Sequence, residues 1–151
     1  MKRRFAYAVL LLAALAVPVE GTDIGKLRPV ELVMVQMQNH QVVLRTDTGD
    51  IGQGGTAEEA YQNLRDTTSG VVYLDTADYL LISPGAWEEA AKLKAYLDGT
   101  VKVCEAENQV EPELAAEYLG AHPPKTRLRD LSTPDSLESL CMVNGRLIIN
   151  K

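Results

Sequence analysis

Apolar and polar residues alternate in short blocks along the chain, and their spacing changes between strand-like and helix-like periods. Residues 30–37 alternate apolar with polar residues only loosely, and the apolar residues 42–44 follow after the polar residues 38–41, which include Asn39. Two such runs around an Asn-containing turn predict an N-terminal β-hairpin. Because the first run is apolar at both alternating positions, its strand is expected to be covered on both faces.

The clearest helical pattern follows a glycine-rich passage at residues 49–55. One predicted buried face has the spacing i, i+3, i+4 and i+7 and consists of Ala57, Ala60, Tyr61 and Leu64. Thr56 precedes this face and Glu59 stands three residues after Thr56, which is the spacing of a capping box. The sequence therefore predicts a capped amphipathic helix at the centre of the fold.

Apolar runs at residues 71–74, 79–82 and 101–104 predict strands, with a helix between the last two. Ser83-Pro84 predicts the start of that helix, with Ser as the cap and Pro at the first helical position. Asp98-Gly99 predicts its end. A strand, a helix and a strand at this spacing predict one βαβ crossover with parallel strands.

A third helix is predicted to begin at Pro112 and to end at Gly120. Its inner stripe is predicted to consist of Leu114, Ala115, Tyr118 and Leu119. Asn144-Gly145 then separates residues 141–143 from residues 146–149, which are apolar apart from Arg146, and this dipeptide is typical of a type I′ turn in a C-terminal β-hairpin. The predicted fold class is α/β (α+β), with a mixed β-sheet and about three helices.

The N-terminus has the pattern of an export signal. Three basic residues precede an unbroken apolar run from Phe5 to Val17, which is shorter than the ~20 residues that span a bilayer as a helix. Gly21 or Ala16 could serve as the cleavage point. We therefore expect a signal peptide at residues 1–21 and a single exported domain at 22–151, either secreted or held at the membrane by an uncleaved signal, with no membrane insertion after cleavage.

The charge of the chain argues against two classes of partner. The formal net charge is −6, and it becomes about −8 without residues 1–21, which hold three basic residues and Glu20. An acidic surface repels phosphate backbones and anionic lipid headgroups. Nucleic acid and direct binding to a membrane surface are therefore not expected.

Two cysteines, Cys104 and Cys141, lie in apolar, strand-like contexts. In an oxidising compartment they could form a disulfide, and closing a loop of this length would stabilise the fold by ~3–4 kcal/mol. A free cysteine in such a context also behaves as a small buried hydrophobe. The sequence leaves both alternatives open.

Two short motifs carry the candidate chemistry, Asp-Thr-Gly at Asp47–Gly49 and Asp-Thr-Ala at Asp75–Ala77. Paired carboxylates that share a proton supply an acid and a base, as in aspartic peptidases, so a small hydrolase using Asp47 and Asp75 is one hypothesis. The alternative is turn chemistry, in which Asp and Thr side chains bond local backbone N–H groups. The chain is too helical for two β-lobes, which favours the turns.

The same region suggests two kinds of ligand. Asp50 and Asp78 join Asp47 and Asp75 in a candidate functional loop that could collect calcium, although the spacing lacks the alternation of an EF-hand. The glycines of residues 49–55 precede a helix but are followed by no Lys, so a flexible loop is favoured over a phosphate cradle. We expect no catalytic residues, no cofactor and no metal site.

Three segments in order resemble a known family. They are DIGKLRPVELV at residues 23–33, GGTAEEAYQNL at 54–64 and YLDTADYLLI at 73–82. Together they resemble the N-terminal domain of the C-subunit lipoproteins of spore germinant receptors, the Ger(x)C family, over residues 23–121. The chain departs from that family in carrying no Cys near residue 21, in having Asp-Thr where the family tends to have Gly-His, and in having less than about half the family's length.

The resemblance implies an α/β domain outside the membrane of a spore-forming Gram-positive bacterium, and it supplies no catalytic residues. The expected function is a non-enzymatic, exported protein-interaction domain that acts in spore germination or sporulation. Its expected partner is a protein at the outer face of a membrane. The alternatives are the small hydrolase and a calcium-dependent wall or adhesion module.

Overall fold

A computed structural model of the chain describes residues 27–107, 110–133 and 137–150. The expected signal peptide at residues 1–21 lies outside the described residues. The strands are β1 Leu27–Pro29, β2 Leu32–Gln38, β3 Gln41–Thr46, β4 Ile51–Gly54, β5 Val71–Tyr73, β6 Tyr79–Ile82, β7 Lys102–Ala106, β8 Ser139–Val143 and β9 Arg146–Asn150. The helices are α1 Ala57–Thr67, α2 Trp87–Lys92 and α3 Pro112–Ala121, with short 3₁₀ turns at Leu74–Thr76, Leu93–Ala95 and Leu128–Asp130.

Seven strands form one mixed sheet in the order β4-β3-β2-β6-β7-β8-β9. The central strands β2, β6, β7 and β8 are parallel, whereas β3 and β4 on one side and β9 on the other run antiparallel to their neighbours. A separate parallel pair joins β1 and β5. The predicted fold class is confirmed, including the mixed sheet, three helices, both hairpins and a βαβ unit.

The two faces of the sheet carry two separate cores. On one face, Val33, Val35 and Leu80 pack with the buried residues of α1 and α2. On the other face, Leu32 and Met34 pack with the buried residues of α3. Side chains along a strand alternate between faces, so the continuous apolar run in β2 serves both cores, as the sequence predicted.

Both hairpins turn through residues with left-handed backbone angles. Asn39 and His40 have φ values of 49° and 63°, and Asn144 and Gly145 have 50° and 74°. Positive φ at both central residues defines a type I′ turn, whose twist matches that of the flanking strands. The Asn residues explain why both turns could be predicted, because Asn tolerates this conformation.

The predicted cap of α1 is present with one difference. The Thr56 hydroxyl accepts a hydrogen bond from the Glu59 N–H at 3.2 Å. The Glu59 carboxylate, however, accepts from the Gly55 N–H at 2.8 Å, one residue before the cap. Ala57, Ala60 and Leu64 are buried as predicted, while Tyr61 is half-buried.

The predicted cap of α2 is wrong. The helix begins at Trp87 with Ala86 as its N-cap residue, so the cap and the first helical residue each lie three positions after the predicted Ser83 and Pro84. Residues 83–86 instead form a turn, in which the Ala86 N–H donates to the Ser83 carbonyl at 3.0 Å. Gly85 has a φ of 83°, which breaks the helical geometry that the Ser-Pro signal would start.

Within the three described ranges, none of the helices is long and apolar enough to cross a membrane.

Candidate binding groove

The structure gives Asp47 a role in shaping the backbone. Its Oδ1 accepts hydrogen bonds from the N–H groups of Glu31 and Leu32, at 3.1 and 3.0 Å. The Asp47 N–H donates in return to the Leu32 carbonyl at 3.2 Å. Asp47 therefore fixes the chain at the point where β2 begins.

The second Asp-Thr motif holds the same segment from its other side. The Thr76 hydroxyl accepts from the Val30 N–H at 3.3 Å and lies within hydrogen-bonding distance of the Val30 and Tyr73 carbonyls. The Asp78 N–H donates to the Glu31 carbonyl at 2.8 Å. The side chains of Asp47 and Thr76 thus bond backbone groups of residues 30–32, which are distant in the sequence, whereas the turn alternative predicted bonds to local N–H groups.

The four candidate aspartates do not form one site. The Thr48 hydroxyl donates to Asp50 Oδ2 at 2.7 Å within its own turn, and no hydrogen bond joins the carboxylates of Asp47 and Asp75. Among the described residues, no group of three or more His, Cys, Asp or Glu side chains could hold a metal ion. Neither a shared-proton dyad nor a calcium loop is supported by this geometry.

Both cysteines are free and buried, on adjacent strands. Cys104 on β7 packs in the core under α3 together with Leu140, whereas Cys141 follows Leu140 on β8 and so faces the other side of the sheet. A disulfide is therefore not formed in this structure. Burial, and to a smaller extent the nearby charge of Glu138, raise the pKa of Cys104 to about 12, so this thiol is expected to be inert.

The glycine-rich passage is a strand, which corrects the flexible loop that the sequence predicted. A Cβ atom on Gly52 would lie 2.6 Å from Leu64 Cβ, and one on Gly54 would lie 2.6 Å from Glu59 Cβ. These two glycines of β4 therefore allow α1 to pack directly on the strand backbone. They serve helix–strand packing in place of phosphate binding.

A groove lies between α3 and the hairpin formed by β8 and β9. Its volume is about 520 Å³. We call it the α3–hairpin groove, and it is lined by Leu114, Glu117, Tyr118, Ala121, His122, Met142, Gly145, Arg146 and Leu147.

The groove exists because β8 is longer than its contact with β7. Only Ser139 and Leu140 pair with β7, and residues 141–143 continue beyond the end of that strand. The tip of the hairpin therefore overhangs the sheet and faces α3. Met142 and Leu147, which are paired across the hairpin, form one wall of the groove.

The opposite wall is a second apolar stripe on α3. Tyr118 and His122 stack with ring centroids 4.5 Å apart and an angle of 17° between the rings. Leu114 is 50% exposed and Met142 is 36% exposed. The prediction that Leu114 belongs to the inner stripe is therefore wrong, since Ala115, Ala116 and Leu119 fill the space against the sheet.

This arrangement suits binding of apolar side chains. Large apolar residues line the groove and the charged side chains of Glu117 and Arg146 are exposed beside them. Apolar surface of this kind with a polar rim is characteristic of protein-binding sites. The sequence carried a signal for it, because α3 has apolar residues on more than one side, which indicates contacts on more than one side.

The chain matches no protein-family model, no curated protein and no solved structure.

Proposed function

We propose that the chain is a non-enzymatic, exported domain that binds a protein partner through the α3–hairpin groove. The observation that carries the proposal is the pair of large apolar side chains, Leu114 and Met142, held exposed on opposite walls of one groove. Leaving such residues in water is unfavourable, and covering each of them would contribute roughly 1–2 kcal/mol of binding free energy. A partner with apolar side chains of matching size is the ligand that this groove favours.

The chemistry of the rest of the described chain supports binding over catalysis. The Asp47 carboxylate accepts from backbone N–H groups at the start of β2, and Asp50 accepts from Thr48 in its own turn. The groove contains one histidine, His122, stacked on Tyr118. The acidic net charge of −6 disfavours nucleic acid as the ligand. A protein surface is the class of partner that remains consistent with both properties.

The cellular setting of the proposal rests on the family resemblance. Because residues 23–33, 54–64 and 73–82 resemble the germinant-receptor C subunits, we place the partner at the outer face of a membrane during spore germination or sporulation. The N-terminal export pattern supports the same compartment. The groove residues themselves are compatible with any extracytoplasmic protein partner, so the experiment must address binding and setting separately.

Site-specific photo-crosslinking tests the proposal in sporulating cells. A benzoylphenylalanine placed at Leu114 is expected to give a discrete adduct with a protein other than the chain itself. The matched control is the same group at Gln62, an exposed residue of α1 on the other face of the sheet. Adding Met142→Asp on the facing wall should reduce the Leu114 adduct at least about tenfold, because a carboxylate would be desolvated in the complex.

The outcomes separate the two parts of the proposal. An adduct at Leu114 with a germinant-receptor subunit would support both binding and setting. An adduct with an unrelated extracytoplasmic protein would support binding through the groove and remove the germination setting. Equal adducts at Leu114 and Gln62, or none at either, would overturn the proposed function.

A further inference from the structure

The outer side of β9 is an open edge of the sheet. β9 is the last strand in the order, and no strand of the described chain pairs with its outer side. Exposed edges of this kind are templates for pairing with another chain, and proteins usually protect them with charges, proline or a covering segment. β9 carries one charged residue, Arg146, at its beginning and none among residues 147–150.

The two-residue turn determines which backbone groups point outward. In a type I′ turn the flanking residues, here Val143 and Arg146, bond to each other. Hydrogen-bonded and non-hydrogen-bonded pairs then alternate along an antiparallel ladder. Ile148 therefore bonds to β8, whereas the N–H and C=O groups of Leu147 and Ile149 point away from it.

The opposite edge of the sheet, β4, is closed. The outward N–H of Gln53 donates to the side-chain oxygen of Asn63 at 3.0 Å. The Gly55 N–H, just after the strand, donates to the Glu59 carboxylate at 2.8 Å. α1 therefore supplies side chains that occupy two backbone N–H groups at this edge, which another strand would otherwise pair with.

We propose that a second copy of this chain pairs with β9 through its own β9, antiparallel and centred on Ile148. In this register Leu147 of each copy pairs with Ile149 of the other on the α3 face of the sheet. Ile148 pairs with its own equivalent on the opposite face. The outward N–H and C=O groups of Leu147 and Ile149 are satisfied in both copies, and Arg146 lies opposite Asn150.

Charge favours a second copy at this position. The chain has a net charge of −6, yet Ser139–Asn150 contains no Asp or Glu and one Arg. Two acidic molecules can therefore approach through this hairpin with the least mutual repulsion. Because the same edge serves both copies and β4 is closed, the pairing ends at a two-fold dimer and cannot continue into a filament.

Cysteine cross-linking tests the register in the full chain. In a Cys141→Ser background, which removes the free thiol directly opposite residue 148 on β8, Ile148→Cys is expected to form an intermolecular disulfide. Cβ atoms of a non-hydrogen-bonded pair lie about 4.5–5.5 Å apart. Arg146→Cys is the matched control on the same strand and the same face, and it would lie opposite Asn150, far from its own equivalent. We expect oxidation to give at least about tenfold more cross-linked dimer for Ile148→Cys than for Arg146→Cys.

Charge reversal provides a second readout by analytical ultracentrifugation. Ile148→Lys and Ile148→Glu each place like charges opposite each other, so each variant is expected to dimerise roughly tenfold more weakly than the natural chain. An equimolar mixture should recover dimer, because Lys then faces Glu. Circular dichroism should show that both variants remain folded, since Ile148 is only half-buried.

A proline substitution in β9 tests the backbone hydrogen bonds between the two copies. Ile149→Pro removes an outward N–H that β8 does not use, and proline is tolerated at such positions of edge strands. It should weaken the dimer while preserving the fold. A monomeric natural chain at about 100 μM, equal cross-linking of the two cysteine variants, or no recovery on mixing the Lys and Glu variants would each overturn the proposal. The groove could still bind its partner in every one of these cases, so the two proposals fail separately.

Discussion

The two outer strands of the sheet, β4 and β9, differ in whether another part of the chain covers their outer edge. β4 is short, contains two glycines in its four residues, and lies directly against α1. β9 is apolar through Leu147, Ile148 and Ile149, and no strand of the described ranges lies on its outer side. One edge is covered by α1, while the other is the edge through which we propose that two copies pair.

The local sequence of each outer strand determines whether a helix can cover its edge. Gly52 and Gly54 bring α1 so close that Asn63 can reach the Gln53 backbone. At β9, helix α3 packs on the face of the sheet, and no strand among residues 27–107, 110–133 and 137–150 pairs with the outer side of β9. Glycines that the sequence analysis assigned to a flexible loop therefore place α1 directly against this edge of the sheet.

The largest expected effect comes from adding a methyl group at Gly52. Its Cβ would lie 2.6 Å from Leu64 Cβ, so α1 would have to move away from β4. We expect Gly52→Ala to lower the free energy of unfolding by about 3 kcal/mol, measured by urea denaturation. Loss of the closed edge should also appear as association at high protein concentration in light scattering.

Gly120→Ala is the matched control for that change. Gly120 lies in α3, and a Cβ there would meet no atom within 4 Å. The substitution should raise the free energy of unfolding by roughly 0.5–1 kcal/mol, because alanine favours the helix. If Gly52→Ala were tolerated as well as Gly120→Ala, the close packing of α1 on β4 would be refuted.

The contrast also explains how far the sequence could predict the fold. Apolar periodicity predicted the strands and helices of the sheet, and Asn-Gly at residues 144–145 predicted the terminal hairpin. The start of α2 could not be predicted, because Ser83-Pro84 has the local chemistry of a cap and only the tertiary packing places it in a turn. Strand order could not be predicted either, since it depends on contacts far apart in the sequence.

The binding groove was harder to predict than the fold. Leu114 has the same spacing to Tyr118 as a core residue would have, and nothing local indicates that the hairpin overhangs the sheet at that point. The aspartates, in contrast, stood out in the sequence as candidate catalytic residues, but the structure shows Asp47 binding backbone groups. Asp47 bonds two N–H groups at the start of β2. A groove built from ordinary apolar residues leaves only a weak signal in a single sequence, here the apolar residues on more than one side of α3.

Glu89 is expected to anchor the start of α1, and Glu89→Gln tests this with the next largest effect on stability. The Glu89 carboxylate accepts from the Ala57 N–H at 2.8 Å and pairs with Lys92 at 2.5 Å. Negative charge at the first turn of α1 is also favoured by the helix dipole. We expect Glu89→Gln to lower the free energy of unfolding by about 1 kcal/mol at neutral pH. Glu88→Gln, at the exposed neighbouring residue, is the control and should have little effect.

The difference in the free energy of unfolding between the natural chain and Glu89→Gln should decrease in acid. The hydrogen bond from Lys92, and to a smaller extent that from the Ala57 N–H, lower the pKa of Glu89 below its ordinary value of 4.5, against the opposing effect of burial. The stabilisation is therefore complete above about pH 4.5 and is lost as the pH falls through the lowered pKa of the folded state. Denaturation curves of the natural chain and Glu89→Gln should converge in acid, and a constant difference down to about pH 3 would contradict this anchoring role.

The variant with the smallest expected loss of stability, Asn63→Ala, should show most clearly whether the edge of β4 is closed. Asn63→Ala removes the side-chain oxygen that accepts from the Gln53 N–H, and this contact is exposed, so the free energy of unfolding should fall by only about 0.5 kcal/mol. The amide of Gln53 would then be free to pair with another strand, which gives each molecule two open edges in place of one. Species larger than a dimer should appear in analytical ultracentrifugation, because pairing through different edges does not close on itself. Asn63→Asp keeps an acceptor oxygen and should leave the size distribution unchanged. Larger species in both variants would show that the Asn63 hydrogen bond is not what closes β4.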